Sequence, residues 1–378
     1  MDWKQVYDDF PINKNYIWLN NCGSTPPCRQ IIDKVNTYID EYSLNGIYTK
    51  SFSLSKVKRS IKAIISELLN CNREDIAIIH NTAEGMNLIS YGLNLTSGDE
   101  ILLLENEYPS NVYPWEHWAS KGIILKTIPI SNSPGIFLDN VKKIITKKTK
   151  VMTLSAVHWC TGMPLPIKDI SEICNNNNIE FILDGAQGVG HININMKEMG
   201  LHYLCFSAWK WLIGPLGLGI MVVSKEKIDK LKYIFKGTDS VINSMEYFPY
   251  KKEIKHTAER YMYSSPNFND WVYFDSALKY LKEIGFNNIR KRIFKLSRYL
   301  ITSLKNIGFK PVYDTDKYPE TGIAVVEKDE VNCKELSDSL FKNNIIAKER
   351  LEMLRLAPHI YNSFEQLDKT VEIIIKNQ

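Results

Sequence analysis

Residues 181–191 read FILDGAQGVGH and residues 206–219 read FSAWKWLIGPLGLG. The apolar run Phe181–Leu183 delivers Asp184 at its carboxyl end, and Gly185 lets the chain turn away sharply. A carboxylate in that place either caps a following helix or faces a cationic group held beyond the sheet. Lys210 lies between Trp209 and Trp211, ahead of a Gly/Pro-rich loop. An amine in an aromatic, partly dry pocket has a lowered pKa and can form a Schiff base. Taken alone, such a lysine is more often a surface residue with a buried stem. Asp184 and Lys210 together point to a site.

Outward from these two segments, short apolar runs alternate with amphipathic stretches. Ile76–Ile79, Ile101–Leu104, Val151–Ser155, Phe181–Leu183 and Gly219–Val223 read as strands. Helices are expected from about Ala83 and over Ile167–Cys174. Continuous apolar runs interleaved with helices indicate an α/β fold, a mostly parallel sheet covered on both faces. Such sheets bind ligands beyond the carboxyl ends of their strands. From Lys225 the pattern changes: helices over Phe268–Gly285 and Asn288–Ile307, short strands at Gly322–Val326 and Ile345–Ala347, and a final helix from Ser363. We expect a large domain over 15–250 and a smaller α+β domain from 1–14 and 251–378. The first residues return to the smaller domain or cross a dimer interface.

Asp184-x-x-Gln187, then Ser207-x-x-Lys210 with GPLGLG behind it, resemble the class V aminotransferase family of fold-type I enzymes that use pyridoxal phosphate (PLP). That family includes cysteine desulfurases, selenocysteine lyases, isopenicillin N epimerase and kynureninase. The resemblance implies that Lys210 holds PLP as a Schiff base. It also implies that Asp184 pairs with the pyridinium nitrogen and keeps it protonated, so that the ring draws electrons. In NTAEGMNL, Thr82 and the Ala83 amide match the phosphate-binding start of a helix, where unpaired N–H groups favour an anion. Tyr108, in ENEYPSNVYPW, stands at the position of the ring that stacks on the cofactor. Gln187 matches a contact to the cofactor's phenolic oxygen. His158, in SAVHWCTG, lies near a second such contact, or is a structural histidine. Ser207 matches a phosphate-binding serine, and the Trp209 indole can donate to the same phosphate. Ser265, in YSSPNF, resembles the residue that reaches a phosphate across a homodimer interface, although Ser264 replaces the family's glycine. Arg355, in RLAPHIYN, resembles the clamp on the substrate carboxylate. Asn21–Thr25, with Ser24, matches the loop that folds over the substrate.

The family resemblance leaves the reaction open, because one cofactor supports transamination, elimination, racemisation and desulfurisation. Related desulfurases carry a cysteine in an Arg-x-Gly-His-His-Cys loop shortly before the carboxylate-binding arginine. Here residues 345–356 read IIAKERLEMLRL, without a cysteine. We therefore expect β-elimination of the C–S lyase type on a small amino acid, with an aminotransferase or epimerase as alternatives and a cysteine desulfurase less favoured.

Composition narrows the class without fixing it. A formal charge of +4 over 378 residues, with basic and acidic residues intermixed, argues against nucleic-acid binding. No apolar run reaches the roughly 18 residues of a membrane span. The 7 cysteines form no C-x-x-C pair and give no metal-ligand spacing, which fits reduced thiols in the cytoplasm. No G-x-G-x-x-G follows the first strand, as a dinucleotide site would require.

Overall fold

Buried, β-branched runs build the centre of the molecule. The computed structural model describes residues 1–378. A short strand β1 (Ile17–Trp18) precedes seven that form one sheet. These are β2 (Ile76–Ile79), β3 (Glu100–Leu104), β4 (Ile124–Ile128), β5 (Thr149–Ser155), β6 (Glu180–Asp184), β7 (Tyr203–Ser207) and β8 (Gly219–Val223). Their order is β2-β8-β7-β6-β5-β3-β4, and β8 alone runs antiparallel to its neighbours. Every residue of β2, β3, β7 and β8 is buried, as expected of strands covered on both faces.

The five expected strands are all present, and two more were not read. β4, ILKTI, is the sheet's edge strand and leaves Ile124 exposed, so it lacks the continuous apolar signature. β7 begins at Tyr203, just upstream of the motif that drew the reading to Lys210. The long helices run over Phe268–Ile284 and Phe286–Asn306, close to expectation, and the final helix spans Phe364–Asn377. No helix is long and apolar enough to cross a membrane.

A second sheet follows in the chain. It contains β9 (Lys310–Pro311) and β10 (Ala324–Glu327). Then β11 (Ile345–Ile346) leaves to pair with β1, and β12 (Lys348–Arg350) and β13 (Met353–Leu356) complete the order β12-β13-β10-β9. β1 pairs in parallel with β11, Ile17 opposite Ile345, so the N-terminal segment does return to the C-terminal part. Phe10 stacks on Tyr361 with centroids 4.1 Å apart, which anchors the first helix in the same place. β12 and β13 are joined by Leu351 and Glu352, both left-handed with φ of 52° and 66°. Two consecutive left-handed residues give the tight hairpin turn whose twist suits antiparallel strands.

Loop 156–165 connects the two sheets. Gly162 adopts φ +72°, and a Cβ there would lie 2.7 Å from the Ile323 carbonyl oxygen. The same turn is tied down by Thr321, whose hydroxyl donates to the Gly162 carbonyl at 2.9 Å. Gly162→Ala meets both backbone strain and a clash with backbone, so it should lower unfolding free energy by about 1–3 kcal/mol in denaturant titration. A loss under about 0.5 kcal/mol, typical of unconstrained surface positions, would show that the contact is not tight.

Candidate active site

Asp184 is the last residue of β6 and only 3% exposed. Its Oδ1 accepts from the Ala186 backbone N–H at 2.8 Å, leaving Oδ2 without a partner in the chain. Burial raises its pKa to about 6, opposed by that N–H and by the charge of Lys210. Lys210, 9% exposed, projects from the turn after β7, and burial pulls its ammonium down against the pull of Asp184. Its Nζ lies 5.5 Å from the Tyr108 ring centroid. Amine, carboxylate and aromatic ring line one cavity of about 360 Å³.

One end of the cavity is the start of the helix Thr82–Gly92. Asn81 caps it, accepting from the Glu84 N–H at 2.9 Å, so the N–H groups at that end face the cavity beside two hydroxyls. Thr82 Oγ1 and Ser207 Oγ are 2.7 Å apart. Two hydroxyls and a helix N-terminus form a receptor for an anion such as phosphate. Trp209 borders the same cavity, and Gln187 lines it while bridging two parts of the chain. The Gln187 amide donates to the Cys22 carbonyl at 2.8 Å, and its oxygen accepts from the Trp211 indole at 3.3 Å.

A guanidinium stands at another part of the wall. Arg355, in β13, is 3% exposed; it donates to the Trp159 carbonyl at 2.6 Å, and its Nε has no partner. A buried guanidinium with a free donor is suited to a carboxylate entering from outside. Tyr108 and Trp159 meet edge to face at 5.5 Å, forming an aromatic rim.

Below Tyr108 lies a residue that the sequence reading passed over. Glu107 accepts from the Tyr108 N–H (2.7 Å), the Ser155 hydroxyl (2.6 Å), the Ser155 N–H (2.8 Å) and the Asn111 amide (3.3 Å). Burial, and then the charge of Asp184, push its pKa to about 7. The carboxylate thereby fixes the backbone that carries Tyr108 to the end of β5. Acidic residues in a loop read as solvated, so only the fold reveals this one.

The cavity thus gathers Thr82, Ala83, Tyr108, Asp184, Gln187 and Ser207, with Trp209, Lys210 and Arg355. Three expected residues lie outside it. His158 is fully buried: its Nε2 must donate to the Asn106 carbonyl (3.0 Å), so Nδ1 accepts from the Thr161 hydroxyl (2.9 Å). Both nitrogens are engaged by the chain, which matches the structural-histidine reading. Ser24 is not on the wall; Cys22 and Gly23 of the same loop are. Ser265 is exposed and lines a separate cavity with His80, Glu84 and Tyr263. Ser110, Trp159 and Arg350 line the site without having been foreseen.

The aminotransferase class-V model matches residues 17–349, and the chain belongs to that family. It is accordingly a PLP-dependent enzyme, of lyase or transferase type. The donor set fits such a cofactor: an amine, a buried carboxylate with one free oxygen, an aromatic ring and an anion receptor around one cavity. A probable cysteine desulfurase from Ureaplasma parvum is 27% identical, covering 100% of this chain and 97% of the relative. One from Pyrococcus abyssi is 24% identical, covering 98% and 96%. The apo structure of a cysteine desulfurase from Thermococcus onnurineus NA1 superposes with a TM-score of 0.88 at 19% identity, covering 99% of this chain and 97% of that one.

These relatives correct one expectation. A β-elimination enzyme was favoured, and a cysteine desulfurase disfavoured, because residues 345–356 lack a cysteine. Relatives matching over essentially the whole chain are named cysteine desulfurases, and a single altered loop does not outweigh that. In this chain the loop's place before Arg355 is taken by the β12–β13 hairpin.

Both buried carboxyls have folded-state pKa values above their unfolded ones. Their contribution to stability is therefore complete below about pH 4 and lost as pH rises through about 6 for Asp184 and 7 for Glu107. Glu107→Gln removes one titration. In cofactor-free protein, wild type should lose roughly 2–3 kcal/mol relative to this variant between pH 4 and 8, measured by denaturant midpoints. A difference that stays flat across the range would mean that Glu107 titrates as an exposed acid.

Proposed function

We propose that this chain is a cysteine desulfurase in activity: the Cβ–S bond of cysteine breaks, Cβ takes a proton to become the methyl of alanine, and the sulfur passes to an external thiol, which becomes a persulfide. The observation that carries the reading is the whole-length similarity to relatives of that name, combined with a cavity holding Lys210, Asp184 and Arg355. PLP, when bound, supplies a carbonyl carbon for the amine and an electron sink for the substrate's Cα. Lys210 Nζ is the amine that would hold it covalently and would move the proton at the substrate's Cα. Asp184 would keep the ring nitrogen protonated, the cationic ring in turn holding the carboxylate ionised against its burial. The Thr82 and Ser207 hydroxyls and the Ala83 N–H hold the phosphate. Tyr108 would cover the ring, and Arg355 would grip the substrate α-carboxylate. The Trp159 carbonyl sets the direction of that grip.

We further propose a two-fold dimer as the working unit. Ser265 is surface-exposed and outside its own cavity, as a residue reaching a neighbour's phosphate would be. Leu216, Met245 and Phe248 are more than two-thirds exposed (71%, 83% and 73%), an apolar set that a partner would cover.

Incubation of the loaded enzyme with L-cysteine and dithiothreitol as the sulfur acceptor should give alanine and sulfide in equal amounts, and Lys210→Ala should give neither. Pyruvate in place of alanine, or glutamate formed from added 2-oxoglutarate as amino acceptor, would overturn the desulfurase reading. Sedimentation at assay concentration should show a dimer; an active monomer would refute the shared site.

A further inference from the structure

A second cavity, of about 270 Å³, lies between the helix Phe286–Asn306 and the loop 313–321 ahead of β10. Three buried hydroxyl residues line it: Ser297, Tyr313 and Thr321. The Ser297 hydroxyl neither bonds back to its own helix nor finds another partner in the chain. A buried hydroxyl left unpaired is unfavourable by about 1–3 kcal/mol, so one kept beside a cavity suits a polar ligand. The rim carries both charges. Arg298 is satisfied by Glu320. Lys305 meets only the Thr315 hydroxyl, at 3.5 Å. Lys317 pairs with Asp314 at 2.9 Å, which leaves the Asp316 carboxylate without a cation. One unpaired cation and one unpaired anion therefore border the same cavity.

This cavity touches the active site from behind at two points. The Thr321 hydroxyl holds the Gly162 carbonyl, in the turn after Trp159, and the Trp159 carbonyl in turn holds Arg355. The next residue, Gly322, is packed so closely that a Cβ would lie 2.6 Å from the Trp211 ring. Phe294, also on the cavity wall, meets His191 edge to face at 6.5 Å, and His191 lies 3.9 Å from Trp211, the residue after Lys210.

We propose that this cleft is a regulatory site for a small neutral α-amino acid, and that its occupation weakens substrate binding at Arg355. The zwitterion's carboxylate meets Lys305 and its ammonium meets Asp316, while the buried hydroxyls satisfy its remaining donors and acceptors. A simple anion would face Asp316 and Glu320, and a simple cation would face Lys305 and Arg298. The volume falls below the roughly 300 Å³ at which pockets for larger organic ligands begin. A ligand bridging Lys305 and Asp316 draws the loop 313–321 toward the helix and away from the Gly162 turn. The support of Arg355 through Trp159 loosens with it. Coupling of this kind runs through contiguous packed groups and is reciprocal.

The test uses loaded enzyme and L-proline, a zwitterion whose secondary amine cannot form a neutral Schiff base with the cofactor. Calorimetric titration should show one proline bound per chain. Its affinity should fall at least about tenfold in Lys305→Gln and in Asp316→Asn, the contribution of one charge-assisted contact. In Arg355→Gln it should stay as in wild type. With cysteine as substrate, saturating proline should raise KM about fivefold or more and leave kcat nearly unchanged. Lys305→Gln should turn over cysteine as wild type does and show no response to proline. Absence of proline binding, or binding lost only in Arg355→Gln, would overturn the site. Binding that Lys305→Gln abolishes but that leaves KM unmoved would overturn the coupling. The KM measurement alone rests on the desulfurase reading; if cysteine is not turned over, that reading fails and the titration still decides the cleft.

Discussion

A carboxylate and an amine, Asp184 and Lys210, are both withdrawn from water at the end of one sheet, and the surrounding residues answer to that arrangement. Burying either charge alone is unfavourable by several kcal/mol. Each therefore leans on the other: the charge of Lys210 draws Asp184 down and that of Asp184 draws Lys210 up, against the burial that pushes both toward neutrality. Glu107 adds a third buried acid, which four donors hold in place. The site is thus poised between protonation states before any ligand enters, and a cationic ring and an anionic phosphate complete its charge balance.

Sheet topology makes that concentration possible. β5 and β6 are parallel neighbours that deliver Ser155 and Asp184 side by side in register, and β7, which sets Cys205 beside Asp184, carries Ser207 at its end two residues further on. β8 runs back antiparallel and returns the chain to β2, whose end leads into the anion-binding helix. Four short segments, far apart in sequence, therefore reach one rim.

Much of this was legible in the residues. Asp184, Lys210, Thr82 and Arg355 stand in local patterns that carry their own chemistry, and the structure brings all four to one cavity. What escaped the reading depends on distant contacts. Glu107 acquires its role only because β5 passes beneath it, and Arg350 lines the cavity only because a left-handed turn folds β12 onto β13. β4 escaped because an edge strand needs apolar residues on one side alone. The reaction was misjudged for a related reason: an absent residue in one loop was weighed more heavily than the similarity of the whole chain.

The pairing of β1 with β11 has a bearing on how the molecule is made. Residues made early wait for partners made much later, because Ile17 meets Ile345 and Asn20 bridges to Ala357. The central sheet can form during synthesis, when chains grow by about 5–20 residues per second. The loop around Cys22 and the wall around Arg355 must wait until β11 and β13 have been made. A nascent chain that stops short of β11 and β13 therefore presents the start of the helix Thr82–Gly92 and Lys210 with one side open to water, and the cavity closes only when those strands arrive.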